Sequence, residues 1–473
     1  MRDAFSYRGS DADTIAALAT PPGEGGIAIV RVSGPAALDI LRAVFRAKPP
    51  HAAPVSHRAR LGLVVWPTGS APAGFEPGAP LDEVLALPLL SPHSYTGEDT
   101  IELQGHGGER AAGLVLAACV AAGARPAGPG EFTRRAFLNG RLSLDQAEAV
   151  ADLVHAEDEL AARVALAQLR GGLRREIQAL EAPLRALLAR LEGSLEFAQD
   201  EPEASVAREE IVDTLKAARA EVDRLLALAP VSRRVREGVQ VVLAGPPNAG
   251  KSSLFNALLG QERVLVDAQP GTTRDVVSAP LRLEGLTFML HDTAGLRERA
   301  RRVETLGIDR AREVIADADV ILVLRDLSKA GQADELDVAA LGAGAEAVVL
   351  EVGTKVDVAR AQAAGTGIRI RTSAKTGAGL EILREALLEA ADAGKLRDTA
   401  AAGILLNQRH QCTLMDCRQE LASLIEAVTA GGADEEVVAS LLAALLQRMG
   451  EISGRVFSEQ LLGEIFSRFC VGK

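Results

Sequence analysis

Gly245-Pro-Pro-Asn-Ala-Gly-Lys251-Ser252 is a complete phosphate-loop pattern, set between an apolar strand-like run, Val239 to Ala244, and a helix expected to begin near Ser252. A loop in that setting aims successive backbone N–H groups at the positive end of a helix, where they cradle phosphate oxygens. Asn248, Ala249, Gly250, Lys251, Ser252 and Ser253 are therefore expected to surround nucleotide phosphates. Lys251 would reach the outer phosphates, and the Ser252 hydroxyl would bind magnesium.

Three further segments follow in the order that a guanine-nucleotide hydrolase requires. Pro270-Gly-Thr-Thr-Arg-Asp275, with Gly271, Thr272 and Thr273, supplies a switch threonine, and Thr273 is the second expected magnesium ligand. Asp292-Thr293-Ala294-Gly295 ends an apolar strand, which brings Asp292 toward the magnesium and the Gly295 amide toward the last phosphate. Thr354-Lys355-Val-Asp357 and Ser373-Ala374-Lys375 form the expected base-reading pair. The Asp357 carboxylate can accept two hydrogen bonds from the edge of guanine, which adenine does not offer, so GTP and GDP are the expected ligands. Two positions depart from the usual pattern. Thr354 stands where translational-type GTPases carry Asn, and lacks an amide that both donates and accepts. Leu296 stands where Ras-like proteins carry a water-orienting glutamine, which leaves Glu304 as the nearest acid downstream. On its own, the stretch Arg297 to Glu304 also reads as a solvated, charged segment.

Outward from the loop, apolar strands alternate with helical segments: Leu281 to His291, Val320 to Leu324, Ala347 to Val352 and Ile368 to Arg371. This alternation predicts a mostly parallel sheet covered by helices, over residues 237–398. On the N-terminal side, residues 141–236 carry helical periodicity. Ser143 and Gln146 make a capping-box pattern, and Leu173, Ile177, Leu180, Leu184, Leu187, Leu188 and Leu191 form one stripe. Helical rhythm returns over 399–473, through Val437 to Met449 and Leu461 to Phe469. Residues 1–140 mix short strand-like runs, such as Ile27 to Val32 and Leu61 to Trp66, with Gly and Pro turns, as in an α+β domain. The simplest organisation is one helical domain interrupted by an α/β insertion.

The chain has 473 residues, too many for one core, and 48% hydrophobic with 25% charged residues is a globular composition. Its net charge of -12 argues against a protein that coats nucleic acid by bulk electrostatics, so any RNA contact is expected to be local or shared. The most apolar stretches, near Leu114 to Ala124 and Leu441 to Leu446, are too short to cross a bilayer, and Met1 to Asp13 has no apolar export core. A cytoplasmic location away from membranes is expected. Cys119, Cys412, Cys417 and Cys470 show no metal-type pairing.

Five N-terminal motifs, Asp13-Thr-Ile-Ala-Ala-Leu-Ala-Thr-Pro-Pro-Gly23, Ser94-Tyr-Thr-Gly-Glu-Asp99, Glu102-Leu-Gln-Gly-His-Gly-Gly108, Gly130-Glu-Phe132 and Arg135-Ala-Phe-Leu-Asn139, precede the loop, and Phe469-Cys-Val-Gly-Lys473 follows it. In that order around a GTPase segment they resemble the MnmE (TrmE) family of bacterial tRNA modification GTPases over essentially the whole chain. The resemblance implies an N-terminal α+β domain that dimerises and binds 5-formyltetrahydrofolate or a related folate. It also implies a discontinuous helical domain and an inserted Ras-like P-loop GTPase domain. With a flavoprotein of the MnmG type, in a heterotetramer, the family modifies C5 of the wobble uridine (position 34) of certain tRNAs, adding a carboxymethylaminomethyl or aminomethyl-type group with a tetrahydrofolate one-carbon unit.

Carried over by motif, Arg31, Glu102, Arg141 and Lys473 are expected at the folate, with Arg141 where some members have Lys. Without the resemblance, Arg31 reads as an end-of-strand charge and Glu102 as an ordinary exposed strand residue. The resemblance also implies a potassium ion held where two GTPase domains meet, with Asn248, Asp267, Gln269 and Thr272 as ligands; Asp267 also joins the GTP-contacting set. Glu304 matches the acid that positions the attacking water, and Arg297 a switch-region basic residue of open role. Cys470 matches a cysteine needed for tRNA modification, although a Cys between Phe469 and Val471 is in general more often a small buried hydrophobe. A GTPase acting as a binding switch, and a folate-dependent one-carbon enzyme with a regulatory GTPase, share parts of this pattern.

Overall fold

The computed structural model describes residues 13–48, 54–68, 76–197, 206–260, 278–292, 314–329, 344, 347–358, 368–401 and 403–473. The chain divides into two compact units, residues 1–151 with 443–473 and residues 152–442.

In the first unit, β1 (Ile15–Leu18), β2 (Ile27–Ser33), β3 (Phe45–Ala47), β4 (Arg60–Val65), β5 (Pro80–Leu89), β6 (Thr100–His106) and β7 (Arg125–Pro126) form a sheet of order β3-β4-β5-β6-β2-β1-β7. Only β1 and β7 pair in parallel. The strands alternate with period two, so Val30, Val32, Val84, Ala86, Ile101 and Leu103 face one way and are buried with Ile40, Leu41, Val115 and Cys119 of helices Ala37–Val44 and Glu109–Ala121. The same alternation sends the row Ala17, Arg31, Glu102 and Leu87, which lie side by side across four strands, to the opposite face. There, helix Glu131–Leu138 lays Phe132 over Ile15 and Ala17, with Tyr95 packed against them.

The second unit holds β8 (Val239–Ala244), β9 (Ser278–Leu283), β10 (Leu286–Asp292), β11 (Val320–Asp326), β12 (Val348–Thr354) and β13 (Ile370–Arg371), in the order β13-β12-β11-β8-β10-β9. Every pairing is parallel except that of β9 with β10, which matches the expected mostly parallel sheet. Apart from Gln240 and the final Arg325 and Asp326, β8 and β11 are apolar throughout, because both faces are covered. Val239, Val241, Leu243, Val320, Leu322 and Leu324 pack with Leu254, Phe255, Leu258, Leu380, Leu383 and Leu387 on one side. Val242, Ala244, Ile321 and Val323 pack with Ile315 and Ala318 on the other.

Leu281 to His291 reads as one strand in sequence, but the structure folds it into a hairpin. Glu284 and Gly285 take φ of 47° and 77°, the two left-handed residues of a tight turn whose twist suits paired strands. At the Ser143 start of helix Leu144–His155, Gln146 Oε1 accepts from the Ser143 amide at 3.0 Å, as a capping box requires. The Ser143 hydroxyl donates to that same oxygen at 2.9 Å, where a capping box would have it accept from the helix backbone. The leucine stripe lies on helix Gly172–Phe197, with Leu173, Leu184 and Leu191 fully buried and Leu188 partly so. Helix Arg208–Leu226 packs beside it and against helix Gln408–Thr429 from beyond the sheet, and Arg224 bridges to Glu176. Among the described residues, no helix is long and apolar enough to cross a membrane.

Candidate functional site

β8 is central in its sheet, and the chain leaves it toward β10 on one side and later toward β11 on the other. Strand order reverses there, opening a crevice beyond the carboxyl ends of the strands. The phosphate-loop pattern fills that position, between β8 and helix Lys251–Gly260. Asn248 takes φ of 63°, a left-handed turn that a short polar side chain tolerates. Lys251 is buried within the loop, with its ammonium donating to the Gly245 and Pro246 carbonyls at 2.9 Å each. It therefore stands where it can reach an anion held by the loop amides.

Ser252 lies in the first turn of the helix, and its hydroxyl donates to Asp292 Oδ2 at 2.6 Å from the end of β10. Asp292 is 3% exposed. A hydroxyl and a carboxylate oxygen converging at a helix N-terminus make a hard oxygen pair suited to magnesium. Exposed Ser253 occupies the next position.

The segments expected to read the base sit at the ends of β12 and β13. Ser373 donates its hydroxyl to Asp357 Oδ1 at 2.6 Å, fixing one carboxylate oxygen of a residue that is itself exposed. Ser373 is buried; Ala374 and Lys375 follow it at the surface. Thr354 is buried too, and its hydroxyl donates to the Ala249 carbonyl at 2.7 Å, with the Arg325 carbonyl at 3.2 Å. The single hydroxyl proton thus ties the base-reading segment to the phosphate loop, a task for which a side chain of this length suffices. Lys355, at φ of 60°, sends its ammonium to the Asn248 carbonyl at 2.8 Å and to Asp326 Oδ2 at 2.7 Å.

Asp326 is a residue that the sequence analysis missed. It ends β11, where a carboxylate after a run of core residues was the available signal. Burial disfavours its charge, but the Lys355 ammonium and the Ser328 hydroxyl and amide outweigh burial and hold the carboxyl below the usual carboxylate range. The charge that orients Lys355 is thereby retained at neutral pH. Asp267, Gln269, Gly271, Thr272, Thr273, Thr293, Ala294, Gly295, Arg297 and Glu304 lie outside the described residues.

The first unit carries a separate polar cluster. Arg31 Nε and Nη2 donate to Glu102 Oε1 at 3.1 and 2.9 Å, with side-chain exposures of only 16% and 14%. These are not the exposed strand charges that the residue types by themselves suggest. The guanidinium also lies 5.5 Å from the Tyr95 ring centre and 5.7 Å from that of Phe132, and Nη1 reaches the Gly472 carbonyl at 3.4 Å. Tyr95 and Phe132, quoted in the motifs without a role, frame the site. Arg141 is exposed, and its side chain packs beside Gly97 in the same 94–99 motif as Tyr95.

Helix Glu131–Leu138 is pinned beneath by buried Arg135, which donates to Asp13 Oδ1 at 2.6 Å and to Glu131 Oε1 at 3.2 Å. Arg125 donates to the same two acids. The hydrogen bond from Arg125, working against burial and aided by Arg135, holds the Asp13 carboxyl below its usual range. Lys473 is partly exposed, and its carbonyl accepts from the Phe132 amide at 3.2 Å. Cys470 is exposed, unlike the small buried hydrophobe that a Cys in such a setting more often is.

Residues 144–470 match the family model described as MnmE helical domain, and residues 14–141 match GTP-binding protein TrmE N-terminus. The tRNA modification GTPase MnmE of Moorella thermoacetica is 43% identical over 473 residues, covering 98% of this chain and 99% of its own. The protein of the same name from Myxococcus xanthus is 43% identical over 470 residues, 98% of this chain and 100% of its own. That from Thermus thermophilus is 40% identical over 462 residues, 98% and 99% of the two chains.

Proposed function

The chain belongs to the MnmE family of tRNA modification GTPases, and from that premise we propose that it hydrolyses GTP in the course of modifying C5 of the tRNA wobble uridine. The observation that supports this is a pair of contacts at the two ends of the loop crevice: the Ser252–Asp292 oxygen pair under the loop, and the Asp357 carboxylate held by Ser373. A strain lacking the protein is expected to lose the C5 modification of that uridine, read by mass spectrometry of hydrolysed tRNA. Full modification in that strain would leave a GTPase that acts only as a binding switch, or a one-carbon enzyme with another product.

In this reading, Asn248 to Ser253 hold the phosphates, Ser252 and Thr273 the magnesium, and Gly271, Thr272 and Asp292 to Gly295 the switch contacts. Thr354, Lys355, Asp357 and Ser373 to Lys375 hold the base. Magnesium would neutralise charge on the phosphates. Asn248, an exposed residue of the loop, would join Asp267, Gln269 and Thr272 around potassium, which would supply the positive charge that an arginine finger supplies elsewhere. Glu304 would position the water. Residues 1–140 form the folate-binding and dimerising domain, 141–236 and 399–473 the helical domain, and 237–398 the GTPase insertion. Packing of helix Arg208–Leu226 against helix Gln408–Thr429 supports that discontinuity. The working assembly is a homodimer joined with an MnmG-like flavoprotein in the cytoplasm.

The cluster of Arg31, Glu102, Tyr95 and Phe132 fits a tetrahydrofolate in its chemistry: aromatic faces for a flat ring, and charged hydrogen-bonding groups for its polar edge or glutamate. Bound there, the folate would supply the one-carbon unit. Arg141 and Lys473 complete the set by resemblance. Replacing Arg31 and Arg141 together by Ala is expected to weaken 5-formyltetrahydrofolate binding by about tenfold or more, at roughly 1.5–3 kcal/mol per lost charge-assisted bond, with GTP turnover within about twofold. Calorimetric titration beside a GTPase assay checks this, and equal loss of both activities would assign the two arginines a folding role.

A further inference from the structure

Residues Phe469 to Lys473 present an exposed thiol between two fixed points. Upstream, Phe469 is 6% exposed and tilts against Phe466 at 5.3 Å between ring centres. Downstream, Gly472 is buried with φ of 97°. A Cβ built on it would lie 2.2 Å from the Leu18 carbonyl oxygen and 3.0 Å from Ala19 Cα, backbone atoms of β1 and its exit that cannot swing aside. Between these anchors, Cys470 and Val471 are both exposed, so burial of their side chains does not hold the segment down.

Backbone bonds hold it instead. The Gly130 amide donates to the Cys470 carbonyl at 3.3 Å and the Phe132 amide to the Lys473 carbonyl at 3.2 Å, at the start of helix Glu131–Leu138. Pro129 and Val471 form an antiparallel bridge. Arg31 adds its bond to the Gly472 carbonyl, which links the seat of the segment to the cluster read as the folate site. Such anchoring on both sides of a small exposed side chain restricts where its sulfur can go.

We infer that Gly472 is a positioning residue, which by its close approach to Leu18 seats residues 469–473 and so fixes where the Cys470 thiol stands. The inference rests on the reading of Cys470 as a residue of the modification reaction. Any side chain at Gly472 forces the segment off β1, and the bonds from Gly130, Phe132 and Arg31 are lost together.

The test uses the full-length protein with Cys412→Ser, because Cys412 is the other exposed cysteine among the described residues. Gly472→Ala is expected to raise the rate at which N-ethylmaleimide alkylates Cys470 at least threefold, by peptide mass spectrometry. Wobble-uridine modification should fall at least tenfold, with GTP turnover within twofold. Gly62→Ala is the control for general destabilisation: a Cβ there would meet the Arg46 carbonyl oxygen at 2.4 Å and Phe45 Cζ at 2.5 Å, in the same unit but on β4, which β5, β6 and β2 separate from β1. It should lower the melting temperature without changing alkylation of the folded protein. Unchanged Cys470 alkylation in Gly472→Ala overturns the inference, as does parental modification by that variant while Cys470→Ser is inactive. If Cys470→Ser modifies tRNA as the parent does, the reading of Cys470 fails, and the alkylation comparison still decides the placement of the thiol.

Discussion

Asp357→Asn is expected to reverse the base preference from guanine to xanthine, changing the ratio of the two affinities on the order of a thousand-fold. In the proposed site the parent carboxylate would accept from two donors of the guanine edge; an amide offers one acceptor and one donor, which suits the edge of xanthine. Ser373 donates to Asp357 Oδ1 at 2.6 Å and can do the same to the new amide oxygen, so the variant keeps its orientation. Thr354 takes no part in the exchange, since its hydroxyl is committed to the Ala249 carbonyl. Fluorescence titrations with GDP and XDP measure the ratio. A variant that ranks the two nucleotides as the parent does would remove Asp357 from the base-reading role.

Glu304→Ala is expected to slow single-turnover GTP hydrolysis by about a hundred-fold or more, because a misplaced water forfeits several kcal/mol of positioning. Nucleotide affinity should persist, since Glu304 is assigned to the water and not to the base or the metal. Potassium should support hydrolysis and sodium should not at equal ionic strength, which separates specific binding from screening. Asn248→Ala should lose the potassium effect and keep Glu304 intact. Hydrolysis by Glu304→Ala at the parent rate, or equal rates in sodium and potassium, would sink this mechanism for the protein.

The strand, loop and helix start around residues 239–252 were legible because these parts are short and local. A strand, a loop and a helix start within about a dozen residues dictate their own geometry, and the β8 boundaries, Val239–Ala244, are those the sequence predicts. Where several local readings compete, legibility drops. Leu281 to His291 carries enough apolar residues to be one strand, and only the left-handed pair Glu284 and Gly285 turns it back. Asp326 escaped notice because its partner Lys355 arrives from the next strand over.

By itself, the sequence determined the phosphate loop, the order of the nucleotide motifs and the mostly parallel sheet, which depend on residues close together in the chain or on periodicity within one element, and the family followed from the resemblance of motifs ordered along the whole chain. Tertiary structure alone decided what each isolated side chain does. Thr354 meets a carbonyl 105 residues away, Arg31 meets Glu102 across 71 residues and Gly472 across 441, and Cys470 stands exposed because its neighbours are anchored to β1 and to the start of helix Glu131–Leu138. The reason is physical: the burial and partners of a polar group depend on which distant segments the packed core brings beside it, and no local pattern encodes that pairing.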